Sequence, residues 1–140
     1  MDWTEWHDLP VEPVLTELGL GAQGPPFPRM FVASTADALS NAVSEVLSID
    51  VQVPDLGIAT YLGACMGVRP SGGFSVAIEF ARLKGNQVTV HLVLQELGGG
   101  EIAFQAITSP FALAVIRDLD PQEKTFFVAE LDWDVIRVSG

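Results

Sequence analysis

An enzyme would first declare itself through a nucleophile, and this chain offers a single cysteine. Cys65 sits within Tyr61-Leu62-Gly63-Ala64-Cys65-Met66, an apolar stretch holding no histidine or cation that would lower its pKa, so a buried, inert thiol is expected. One cysteine also excludes an intramolecular disulfide and a cysteine-rich zinc site. No Gly-x-Ser-x-Gly elbow occurs. Gly19-Leu20-Gly21-Ala22-Gln23-Gly24 has the spacing of a dinucleotide-binding turn. It runs into Pro25-Pro26, where such a site needs a helix N-terminus for the pyrophosphate, so the match is accidental. His7 and His91 lie far apart with no metal-ligand spacing. Asp118 with Asp120, and Asp132 with Asp134, are paired acids, but a hard cation wants six or more oxygens in a defined loop. They read as solvated surface. No catalytic residue, cofactor or metal ligand is expected.

The informative segment is Gly67-Val68-Arg69-Pro70-Ser71-Gly72-Gly73-Phe74. Pro70 fixes φ, Ser71 can bond back to the backbone, and Gly72-Gly73 open conformations closed to other residues. The expectation is a rigid, sharply turned connection between two strands, with Arg69 at its base and Phe74 opening the next strand. A preset loop suits recognition, because little ordering entropy remains to be lost on binding.

The elements that must position this loop follow from periodicity. Arg29–Ala33 reads as a short strand. Ser34 is expected to cap a helix over 34–48, with Leu39, Val43, Val46 and Leu47 forming its buried stripe and Ser40, Asn41, Ser44 and Glu45 on the wet side. From Val51 the period becomes two. Phe74, Val76, Ile78 and Phe80 alternate with Ser75, Ala77, Glu79 and Ala81; Val88, Val90, Leu92 and Leu94 alternate with Gln87, Thr89, His91 and Gln95. Lys84-Gly85-Asn86 joins the two as a hairpin and leaves His91 on the outer face. The uncharged runs Leu56–Val68 and Ile102–Ile116 read as buried strands, the second broken at Ser109-Pro110. Thr125–Leu131 is the last strand expected. Residues 1–28, with five prolines, form an irregular arm in which Val14–Leu18 is either a helical turn or an edge strand. Trp3 and Trp6 are expected to pin that arm to the body. The fold class is therefore α+β and β-rich: one helix with about six or seven mostly antiparallel strands, as a sheet, small sandwich or half-open barrel, in one domain.

Composition limits the partners. The 140 residues are 49% apolar with eight Phe, which excludes disorder as the main state. Eighteen acids against seven bases give a net charge of −11, which repels nucleic acid and anionic lipid. No run reaches the roughly 20 apolar residues of a membrane span, and no signal peptide is read at the N-terminus. A cytoplasmic protein is expected from the sequence as it stands.

Leu62-Gly63, Arg69-Pro70-Ser71-Gly72-Gly73-Phe74, the alternating hairpin, and Gln105-Ala106-Ile107-Thr108-Ser109-Pro110-Phe111 together resemble the C-terminal domain of bacterial PrcB protease-complex subunits. That family's pattern is roughly G-x-R-P-[ST]-G-G-[YF], then Q-A-x-T-S-P-[YF]. Ser71 and Phe74 stand where Thr and Tyr are commoner, and the resemblance covers about residues 56–117. It implies a non-catalytic module that binds a protein partner, a protease complex above all. Arg69–Phe74 and Thr108–Phe111 are then the candidate interaction elements. A fainter likeness, to chagasin-type inhibitors of cysteine proteases, would make Ser71–Phe74 and Gly98–Gly100 inhibitory loops. A small-ligand-binding β domain is a further alternative. Self-association through open strand edges is compatible with each of these readings.

Overall fold

The computed structural model describes residues 5–17, 27–67, 74–96, 109–117, 119 and 125–138. The elements run β1 (His7–Leu9), β2 (Glu12–Glu17), β3 (Arg29–Ala33), α1 (Ala36–Leu47), β4 (Thr60–Cys65), β5 (Phe74–Lys84), β6 (Gln87–Glu96), β7 (Phe111–Ile116), β8 (Phe126–Ala129) and β9 (Asp134–Val138). They form two sheets, β2-β7-β4-β3-β9 and β1-β5-β6-β8. The β-rich α+β class holds, as a sandwich. Pairing is antiparallel except for β3 with β9 and β6 with β8, which are parallel.

The five-stranded sheet is the middle of three layers. Phe31, Tyr61, Cys65, Leu113 and Val115 face α1 and pack with Leu39, Val43 and Leu47. Their neighbours Met30, Val32, Leu62, Ala64, Ala114 and Ile116 face the other way and pack with Val76, Ala81, Val88 and Val90 of the four-stranded sheet. Covered on both faces, β4 and β7 are buried at every residue, and so they read as continuous apolar runs.

Several expectations are corrected. The helix cap is Thr35, not Ser34: Thr35 is extended (φ −134°) and its side chain accepts from the Ala38 amide at 3.2 Å. Ser40 and Ser44 are only partly exposed, because the chain after the helix claims their hydroxyls. Ser44 Oγ accepts from the Val51 amide (2.8 Å) and donates to the Val51 carbonyl (3.1 Å), while Ser40 Oγ accepts from the Val53 amide (2.9 Å). Val51–Val53, read as the start of period-two structure, is therefore a loop strapped to the helix. The alternation in β5 inverts at a bulge between Ile78 and Phe80, so Ala81 is buried and Phe80 lies on the outer face. Val14 and its neighbours belong to a strand, β2, and part of the stretch expected to be irregular pairs as β1 and β2. Thr125–Leu131 is not the last strand; β9 follows and extends the middle sheet beside β3. The expected strand around Ile102–Thr108 falls outside the described residues, as does Trp3.

Gly63 shows why small residues occur in the middle layer. A Cβ placed there would lie 3.0 Å from Leu39 Cδ1, 3.1 Å from Val43 Cγ2 and 3.4 Å from Leu113 Cδ2. Carbon atoms prefer about 3.5–4.0 Å, so α1 is seated directly on this glycine.

Candidate functional site

Both motifs leave from one end of the middle sheet. Arg29, Cys65 and Phe111 lie side by side across β3, β4 and β7. One step further along, the Met66 amide donates to the Pro110 carbonyl at 2.8 Å, which extends the pairing of β4 with β7 past the strand ends. Gly67 follows with φ of +89°, a left-handed conformation that a side chain would strain. The last described residue before one motif thus lies close to the first described residues of the other. Arg69, Pro70, Ser71, Gly72 and Gly73 lie outside the described residues, as do Thr108 and the loop Gly98–Gly100. Phe74 begins β5 opposite Glu96.

Ser109, Pro110 and Phe111 are all buried. Among the described residues, Ser109 Oγ has no hydrogen-bond partner, and neither does the buried Nε of Arg29, which begins β3 in the same row as Cys65. Burial pushes the Cys65 thiol up to about 12, against a smaller downward pull from the Arg29 charge. A buried thiol held neutral in this way packs as a small apolar group.

The other exposed chemistry lies on the outer face of the four-stranded sheet. His91 is half-buried there, in hydrogen-bond contact through Nδ1 with Glu130, and stacked on Phe80 at 4.5 Å between ring centres with 11° between planes. The Arg82 guanidinium lies 5.0 Å from the Phe80 ring centre and pairs with Asp8 at 3.3 Å. Periodicity placed His91 on this face but could not supply Phe80, because the bulge that turns it outward has no signature in the local pattern. Among the described residues, no group of three or more His, Cys, Asp or Glu is arranged to hold a metal. Nor is any described helix long and apolar enough to cross a membrane.

Comparison with curated proteins gave no match, and comparison with solved structures gave none either. The comparison with protein families matches residues 60–117, from the first residue of β4 to the residue after β7, to the family described as PrcB C-terminal, the one that the two motifs resemble.

Proposed function

We propose that this chain is a non-catalytic accessory module that binds another protein and serves a protease complex. Its contact is the Arg69–Phe74 segment, with Thr108–Phe111 as the second element. The observation that carries this reading is the family match, which begins at β4 and takes in both motifs in order. The surroundings support it. The described chain on either side of the segment is held by the fold: the Met66 amide is bonded to the Pro110 carbonyl, and Phe74 begins an eleven-residue strand. Anchored ends reduce the ordering cost of binding. Cys65, the one cysteine, is buried with its thiol pushed up, which favours a binding role over a catalytic one.

The test is affinity capture from lysate of the source cell, with the wild type beside a folded Gly72→Trp, Gly73→Trp variant and mass spectrometry of what each retains. A peptidase held by the wild type and lost by the variant is the expected result. Retention of the same proteins by both would remove the loop from the reading. Slowing of a peptidase at stoichiometric dose would replace the accessory role with inhibition.

A further inference from the structure

We propose that the outer face of the four-stranded sheet is a self-association surface, on which a second copy of this chain docks face to face. This inference is independent of the motif loop.

Strand register lays the face out in rows. Asp8 pairs with Arg82, Arg82 with Thr89, and Thr89 with Val128, so these four form one row across β1, β5, β6 and β8. The row beside it runs through Lys84, Gln87 and Phe126, and Trp6 closes it, its ring 5.5 Å from Lys84 Nζ. The next row holds Phe80 and His91. Phe126 is 64% exposed, Trp6 44% and Val128 41%, which puts three of the six exposed large apolar residues among the described residues on this one face. No described element covers it.

Two observations choose a second copy as the occupant. The first is charge. Among the described residues, the face carries Asp8, Glu79 at the bulge, and Glu130 against Arg82 and Lys84; Asp8 pairs with Arg82, and Glu130 bonds to His91. That is one net negative charge on a chain whose total is −11. Two acidic bodies approach at least electrostatic cost through their neutral faces, whereas a basic partner would be drawn to the acidic remainder. The second is that the described strand edges are blunted against pairing. β1 and β8 have three and four residues, β2 carries Pro13 and a register shift, and β9 presents Asp134 and Arg137. Short, bulged or charged edges discourage edge-to-edge association, which leaves the face.

The geometry is self-complementary. A two-fold axis running along the strands, midway between two stacked faces, sets the β1 column of one copy over the β8 column of the other. Trp6 then meets the partner's Phe126 and Phe126 meets the partner's Trp6, an isologous contact made twice. With strands about 4.8 Å apart and outward residues about 6.8 Å apart along a strand, three rows span roughly 19 by 20 Å. That is about 400 Å² per copy and roughly 800 Å² in all, below the size of a stable interface, so a weak dimer with a dissociation constant on the order of 100 µM is expected.

Sedimentation equilibrium of the full chain from about 1 µM to about 1 mM tests this. The wild type is expected to shift from monomer to dimer across the range. Phe126→Glu and Thr89→Arg are each expected to weaken the dimer on the order of thirtyfold or more. Ile58→Glu, at an 80% exposed site outside the sheet, is expected to leave it unchanged. Circular dichroism of each variant separates lost association from lost folding. A wild type that stays monomeric throughout overturns the proposal. So does a dimer that persists in both folded face variants, since its contact then lies elsewhere.

Discussion

Substituting Gly63 by alanine tests the seating of the helix on the middle sheet. The glycine lies outside the left-handed region, so alanine meets no backbone strain there. Taken alone, the change would stabilise by about 0.4–1 kcal/mol through the unfolded chain. The added methyl opposes this. It would sit at 3.0 and 3.1 Å from Leu39 and Val43, both fully buried on α1, and the helix would have to move by a few tenths of an ångström. Overpacking of this kind costs about 1–3 kcal/mol, and a net loss of about 1–2 kcal/mol is expected. For a chain of this size that lowers Tm by roughly 3–8 °C. Val43→Ala alone leaves a cavity and costs about 1–3 kcal/mol. The double variant is expected to lose less than the sum of the two, by about 1 kcal/mol, because each change relieves the other. Urea denaturation of the four proteins measures the cycle. A neutral Gly63→Ala, or strict additivity, would refute the contact and the helix placement argued from it.

Other outcomes follow from single groups. Tyr61 is wholly buried, and its hydroxyl accepts from the Leu56 amide at 2.9 Å and donates to the Gly57 carbonyl at 2.8 Å. Tyr61→Phe is expected to cost about 1–3 kcal/mol in urea unfolding by leaving both without that partner. Ser44→Ala removes both bonds to Val51 and should raise amide exchange over residues 49–53 as well as costing about 1–2 kcal/mol. Cys65 should resist thiol reagents at pH 8 in the folded protein and react at a rate set by unfolding. Its folded pKa of about 12 lies above the ordinary 9.0, so above pH 9 the unfolded chain releases a proton that the folded one keeps. Stability therefore falls between about pH 9 and 12, by at most about 1.4 kcal/mol per pH unit from this group. Cys65→Ala, measured in urea at pH 8 and pH 10, should lack that component.

Local chemistry made some elements legible and left others hidden. The α1 stripe, the Lys84-Gly85-Asn86 hairpin and the uncharged runs of β4 and β7 each declare themselves within ten or so residues. The cap was ambiguous because Ser34 and Thr35 are adjacent hydroxyls, and only the backbone angle chooses between them. Ser40 and Ser44 look solvated on a helical wheel, and what claims them is the returning loop at Val51–Val53. The bulge before Phe80 is invisible because Ile78-Glu79-Phe80-Ala81 alternates acceptably in either phase. β9 is hidden because the acids and tryptophan of Asp132-Trp133-Asp134 do not look like the approach to a strand, and its partner β3 is distant in sequence. At the site, the two motifs could be read as motifs, but the hydrogen bond from Met66 to Pro110 comes from sheet order, which no short pattern encodes.

The parallel pairing of β3 with β9 has a consequence for biosynthesis. The two strands are on the order of a hundred residues apart, yet they are neighbours in the finished sheet. A ribosome delivers β3, α1, β4 and β7 before β9, so the outer side of β3 waits with backbone N–H and C=O groups of Arg29–Ala33 unpaired. Pairings of such long reach form late and slowly, and an apolar strand left open meanwhile is a template for aggregation. Molecules stalled or cleaved before residue 134 carry that edge permanently. The chain's dependence on chaperones should therefore be concentrated in the interval before its last strand emerges.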